Sequence, residues 1–222
     1  MSSIYGIYVS GAIFILCRYA EGSGSAALFE DVSSMKFISL TDLICTDNSC
    51  IRLIDLSQTP TKTATFAGKC NRKKSRDGHR LNYALLELPR RMEMNKNRSK
   101  VFVLEKNSLR AVDLESDNVT TIVALDSFPY DMVLSGDDIL YFAEGTRVFL
   151  FNLNSLQQSV VAGGDSEGNA VGPFELTRFK KARGLLLMPD LETDNLLVSD
   201  LETTRSACFK LIIVIIILII VQ

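Results

Sequence analysis

IRLIDL at Ile51–Leu56, LRAVDL at Leu109–Leu114 and VFLFNL at Val148–Leu153 are three versions of one short apolar segment, and the fold is read from what surrounds them. Each is preceded by another apolar run, DLIC at 42–45, VFVL at 101–104 and ILYF at 139–142, across the polar turns TDNS, EKNS and EGT. Each is followed, beyond the turn-forming loops SQTP, ESDN and NSLQ, by a third run: TATFAG at 63–68, TTIVA at 120–124 and SVVAG at 159–163. Short β-rich runs separated by turn formers read as antiparallel strands. An upstream patch supplies a fourth strand to each unit, as SMKFISL at 34–40, RMEM at 91–94, YDMVL at 130–134 and RGLLLM at 183–188.

A further copy, LLVSDLETTRSACFKL from Leu196 to Leu211, places Lys210 where the others have Asp55, Asp113 and Asn152. Those positions are 58, 39 and 58 residues apart, which describes a unit near 40 with NRKKSRDGHR (71–80) and GDSEGNAVG (164–172) inserted. GIYVSGAIFIL at 6–16 stands one unit upstream as a partial copy. Four-stranded units recurring at this period predict an all-β chain, a β-propeller of four-stranded antiparallel blades with four to five visible, open or truncated. A blade packed between two others needs apolar residues on both faces, which accounts for Phe149, Leu150 and Phe151 in succession. A β-sandwich or barrel with evenly spaced strands is the competing reading.

The chain has 222 residues and 24.6 kDa, enough for one ordinary domain, and its 47% hydrophobic content can build a core. With 24 basic against 26 acidic residues, the formal charge of -2 gives no overall attraction to nucleic acid. Apolar runs at the two ends need separate readings. Ile4 to Cys17 has the length of a secretory core but no basic residues before it, so two short strands compete with a signal segment. The apolar stretch Leu211–Val221 would rise only about 16 Å as a helix, against the roughly 30 Å of a bilayer core. A membrane tail anchor and a buried strand are both carried forward for residues 211–221.

At the unit junctions the sequence resembles the NHL-repeat family of propellers, over residues 20 to 211. The family's opening element is matched by Ala27-Leu28-Phe29, Ala84-Leu85-Leu86 and Thr177-Arg178-Phe179. Its turn is matched by Leu88-Pro89-Arg90-Arg91 and Ala182-Arg183-Gly184, and its V-x-D strand by Val198-Ser199-Asp200. Arg205 falls at its first arginine position, with Arg52 and Arg110 at the second. Thr65-Phe66-Ala67-Gly68 and Val161-Ala162-Gly163 match its closing element. The resemblance implies residues 1–19 as a partial first blade, or else a signal segment, 20–211 as NHL-like blades and 212–222 as an apolar tail. Family propellers usually close with six blades, more than this length supplies.

The chemistry is sparse. His79, the single histidine, lies in a basic inserted loop with no partner ligand near it, and is read as a loop residue; Asp77-Gly78 beside it reads as a turn. Asp137-Asp138 and Glu192 with Asp194 read as solvated turns. Broader propeller relatives include lactonases with a channel metal, for which Asn48, Glu105, Glu144 and Asp200 are the positional candidates; turn hydrogen bonding is their competing role. Of Cys17, Cys45, Cys50, Cys70 and Cys208, the pair Cys45 and Cys50 flanks a turn and would bridge in an oxidising compartment, or else both are small buried hydrophobes. Asn97 and Asn118 head sequons, with Asn118 in the better-placed turn. Arg72, Lys73, Lys74 and Arg76, with Arg80, form the strongest basic patch, and a second run extends from Arg90 to Lys100. Neither is interleaved with aromatics for base stacking.

The expected function is a non-catalytic scaffold contacting a protein partner through rim loops, with no catalytic, cofactor-binding or metal-binding residue assigned and no cofactor. A metal-dependent hydrolase or lactonase and a tail-anchored membrane protein are the alternatives. The expected location is cytoplasmic or membrane-associated, with secretion the weaker reading.

Overall fold

The computed structural model describes residues 19–126, 128–170, 172, 176–189, 194–203 and 209–218. These fold into four antiparallel sheets, with one short 3-10 turn at Gly24–Ala26. The first sheet contains β1 (Gly22–Ser23), β2 (Met35–Phe37), β3 (Asp42–Asp47), β4 (Cys50–Asp55) and β5 (Lys62–Gly68), in the order β1-β5-β4-β3-β2. The second contains β6 (Gly78–His79), β7 (Arg91–Met94), β8 (Lys100–Glu105), β9 (Ser108–Asp113) and β10 (Asn118–Ala124), in the order β6-β10-β9-β8-β7. The third is a meander of β11 (Asp131–Ser135), β12 (Ile139–Glu144), β13 (Arg147–Asn152) and β14 (Gln157–Gly163). The fourth joins β15 (Ala182–Pro189), β16 (Asp194–Thr203) and β17 (Phe209–Leu218).

Packing explains the unbroken apolar runs. Along β8, Val101 and Val103 enter a core with Ile44 and Ile51 of the first sheet, while Phe102 and Leu104 enter another with Phe142 and Phe149 of the third. Both faces of this strand are therefore buried, and alternation with polar residues would leave polar groups in one core or the other. A third core sets Tyr141 and Val148 against Phe179, Leu196 and Val198 of the fourth sheet and its approach. Polar contacts tie β2 and its approach to β7, β7 to β11, and β11 to β15. Arg91 donates from Nη1 to Ser33 O at 2.5 Å and from Nε to Asp131 Oδ1 at 2.7 Å, and the Leu185 amide donates to Asp131 Oδ2 at 2.9 Å. Lys36 pairs with Glu93 at 2.8 Å. Burial pushes the Glu93 carboxyl above its ordinary range, against the pull of Lys36.

Strands β5, β10 and β14 of the first three sheets share an irregularity. Phe66 in β5, Ile122 in β10 and Val161 in β14 are each skipped by the register with the neighbouring strand, a β-bulge at the same point of TATFAG, TTIVA and SVVAG. At Gly163, with φ of 92°, an added Cβ would lie 2.1 Å from Thr146 O, so the turn that follows the bulge admits only glycine.

The propeller expected from the period is not formed. No sheet curls closed, the sheets have five, five, four and three strands instead of a uniform four, and no core among the described residues joins the first sheet to the fourth. In a ring the outer face of the first sheet would be covered by the last. Here the chain's own segment 19–29 covers part of it: Arg52 on that face donates to Ala20 O at 2.9 Å and Leu28 O at 3.3 Å and lies against the Tyr19 and Phe29 rings.

Of the membrane tail anchor and the strand carried forward for residues 211–221, the described part takes the strand. Phe209–Leu218 is strand β17, paired along its length with β16, and Val214 stands opposite Val198. A run of isoleucine and valine favours extended backbone, because β-branching restricts χ1 in a helix. Among the described residues no helix is long and apolar enough to cross a membrane. The readings made on residues 1–18, on Glu192 and on Arg205 lie outside the described residues.

Candidate functional site

Of the four positions proposed as channel metal ligands, Glu105 and Glu144 end β8 and β12, Asn48 is one residue past β3, and Asp200 lies within β16. Asp47, at the end of β3, accepts the Glu30 and Asp31 amides on Oδ1 at 2.7 and 3.0 Å and the Arg52 guanidinium on Oδ2 at 3.0 Å. Both members of this ion pair are fully buried. Asn48 beside it is a turn residue in the left-handed region, with its amide bound to Asp31 O. Glu105, at the end of β8, accepts Arg110 Nη1 at 3.0 Å and the Ser108 hydroxyl at 3.3 Å; burial raises its carboxyl above the ordinary range although Arg110 opposes this. Asp200 accepts the Lys180 and Lys181 amides at 3.0 and 2.7 Å, and Glu144 closes β12 opposite Arg147. No group of three or more His, Cys, Asp or Glu suited to a metal occurs among the described residues. Asp47 and Asp200 thus act as backbone latches, in which a carboxylate satisfies amides of the segment leading into its own sheet.

Arg110 has a second task. From the interior of the second sheet, with its side chain fully buried, it reaches the inserted loop, donating to Ser75 Oγ at 2.5 Å and from Nη2 to Asp77 Oδ1 at 2.7 Å. Asp77 also takes the Thr121 amide and hydroxyl at 3.0 and 2.8 Å. Burial alone would raise the Asp77 carboxyl, but the Thr121 donors and Arg110 outweigh it and hold the group below its ordinary range. Arg80 pins the far end: its Nε bonds Asp117 at 2.5 Å, Nη1 bonds Phe66 O at 2.9 Å, and the guanidinium lies 4.5 Å over the Phe66 ring. Between these anchors Arg76 and Leu85 exchange backbone hydrogen bonds, and the His79 carbonyl accepts the amides of Asn82, Tyr83 and Ala84.

The near end is covalent. Cys50, the first residue of β4, is bridged to Cys70, two residues past β5, with Cα atoms 4.6 Å apart. The Cys45–Cys50 bridge weighed from sequence does not form, because the β3–β4 register sets Cys45 opposite Arg52 and Cys50 opposite Asp47. Cys45 is buried as a free thiol, its pKa pushed up to about 12 by burial and by the Asp47 charge.

What the loop presents outward is a basic surface. Arg72, Lys73 and Lys74 are exposed in sequence, and among the described residues their side chains have no hydrogen-bond or ion-pair partner. Tyr83 is 64% exposed and Leu81 36%. Gly78, with φ of 132°, lets the chain pass close to Tyr83, whose Cβ would lie 2.9 Å from an added methyl. His79 is partly buried, with Nδ1 accepting the Leu81 amide, so it serves the loop's own geometry. The basic patch was legible as composition. Its anchoring was not, since Cys50 and Arg110 lie in other strands; the available signal was the repeated spacing of a carboxylate five residues before an arginine, Asp47 with Arg52 and Glu105 with Arg110.

Elsewhere, Asp137 accepts the Lys96 amide at 2.8 Å, joining the turns of two sheets, whereas the exposed Asp138 has no side-chain partner among the described residues. Asn118 is the exposed first residue of β10, and the Asn97 carbonyl is occupied by Ser99.

No family model matches the chain, and no curated protein matches it. Solved structures do. An auxiliary nutrient binding protein from Bacteroides ovatus has a TM-score of 0.60 at 11% identity, over 82% of this chain and 47% of its own. A structural genomics protein of unknown function from Bacteroides thetaiotaomicron has a TM-score of 0.57 at 13% identity, over 87% and 46%. An auxiliary nutrient binding protein from Bacteroides thetaiotaomicron has a TM-score of 0.54 at 11% identity, over 87% and 43%. The chain spans about half the length of these proteins, and at such identity the likeness is one of fold. The resemblance to NHL repeats is therefore withdrawn. The residues that carried it have local physical causes: bulges and a left-handed glycine account for the closing element, and the buried ion pairs account for Arg52 and Arg110.

Proposed function

We propose that this protein is a non-catalytic binding module that docks an acidic segment of a protein partner on the loop 71–83. The observation that carries the reading is the contrast within that loop: Arg110, Arg80 and the Cys50–Cys70 bridge fix it, yet Arg72, Lys73 and Lys74 are left unpaired and outward. A surface held in place before binding avoids much of the ordering cost of association. Exposed arginine and tyrosine beside one another are the residue types that anchor protein interfaces. The net charge of -2 and the presence of one exposed aromatic side chain, Tyr83, in the loop favour a protein partner over nucleic acid. Of the candidate residues for metal-dependent hydrolysis, Glu105 and Asp200 are engaged by Arg110 and by the Lys180 and Lys181 amides, and among the described residues no metal-suited group of three forms, which supports binding over catalysis. The disulfide favours an oxidising compartment as the working location.

Fluorescence anisotropy with a labelled poly-glutamate peptide tests this. The wild-type protein is expected to bind in a salt-sensitive manner, and reversing Arg72, Lys73 and Lys74 to Glu is expected to weaken binding by about tenfold or more. Unchanged affinity in the reversed variant would contradict the proposal.

A further inference from the structure

A cleft of about 500 Å³ lies between the second and third sheets, on the face of β9 that carries Ala111, whereas the adjacent Arg110 reaches back to the basic loop. Its volume falls within the roughly 300 to 1,000 Å³ of small-molecule sites. The two walls are the turn at 95–99 and the turn at 136–138, and the hydrogen bond from the Lys96 amide to Asp137 ties them together, so the space is built into the sheet packing. Phe102, Ile122 and Leu153 contribute apolar surface, Ile122 being the bulged residue of β10. Thr120, Asp138 and Asn154 also line it, and among the described residues their side chains have no hydrogen-bond partner.

We propose that this cleft binds a neutral oligosaccharide. A carboxylate and a carboxamide take hydroxyl hydrogens and oxygens from a polyol, and a threonine hydroxyl serves as donor or acceptor to a third. The apolar patch covers the C–H face of a sugar ring. Asp137 and Asp138 against the one cation, Lys100, leave the lining slightly negative, which disfavours phosphates and acidic sugars. The assignment rests on different residues from the protein-docking loop and stands or falls separately.

Isothermal titration with the hexasaccharides of maltose, cellulose, mannan and xylan type, and with oligogalacturonate as the acidic comparison, is the test. At least one neutral sugar is expected to bind, with oligogalacturonate about tenfold weaker or worse. The combined variant Asp138→Ala and Asn154→Ala is expected to lose about tenfold or more in affinity at an unchanged melting temperature. Thr120→Val, placed on a strand instead of a turn, is a second variant expected to weaken binding should the first fail to fold. The proposal is overturned if none of the neutral sugars binds, if the acidic one binds best, or if the folded variants bind as the wild type does.

Discussion

A guanidinium inside a β-sheet core is tolerated only when its charge is matched, and Arg52 and Arg110 are matched by a carboxylate five residues earlier. The Nε of each has no partner among the described residues, so the Nη atoms carry the pairing. Removing the carboxylate alone strands a buried cation. Asp47→Ala is therefore expected to cost about 3–5 kcal/mol in urea denaturation, whereas Asp47→Leu combined with Arg52→Met is expected to cost clearly less. An equal loss in both would show that the pair is not what the carboxylate serves. Cys45 is a second residue whose surroundings fix its chemistry. With its thiol raised to about 12 and buried, it is expected to remain unalkylated by iodoacetamide at pH 8 in the native protein and to react once unfolded, as read by peptide mass spectrometry.

Strands and turns were the most legible elements, because the short apolar runs, the turn formers and the repeat spacing all mark them. IRLIDL, LRAVDL and VFLFNL fall on β4, β9 and β13. The bulges at Phe66, Ile122 and Val161 were not legible, since a skipped register leaves no sign in a strand's own composition. The inserted loop behaved similarly: its charges were visible, its anchors were not. Breaking the covalent anchor by Cys50→Ala with Cys70→Ala is expected to cost about 3 kcal/mol, the entropy of closing a loop of this length, in chemical denaturation. The ionic anchor has its own pH signature. Asp77 is held below its ordinary range, so its contribution is fully present above the unfolded value of about 3.9 and is lost as pH falls through the lower folded value. Loop detachment followed by Tyr83 fluorescence is thus expected only in strong acid, and Asp77→Asn is expected to remove that acid transition.

Across the whole molecule, neighbours in sequence are neighbours in space, and the contacts run from each sheet to the next. The periodicity conveyed that much, but a period says nothing about whether the last unit meets the first. That is decided by what covers the outer face of the first sheet, and Arg52, bound to Ala20 and Leu28, supplies a local cover. The candidate sites were less legible than the fold, because the cleft at Asp138 and the loop at Asp77 are both made from segments brought together across sheets. Asp131 is the residue most exposed to this arrangement, since it joins Arg91 of the second sheet to the Leu185 amide of the fourth. Asp131→Ala is expected to cost about 1–3 kcal/mol and to reduce the cooperativity of thermal unfolding; a melting curve identical to the wild type would show that the sheets do not depend on it.

The functional account depends on the basic loop being part of the fold before any partner arrives. Amide hydrogen exchange of the free protein measures this directly over residues 68–85. The account predicts protection at Gly68, Arg76, Arg80 and Leu85, whose amides are bonded to Arg80, Leu85, Asp117 and Arg76, comparable to that of neighbouring β-strands. Exchange of these amides at the rate of an unfolded chain would contradict it.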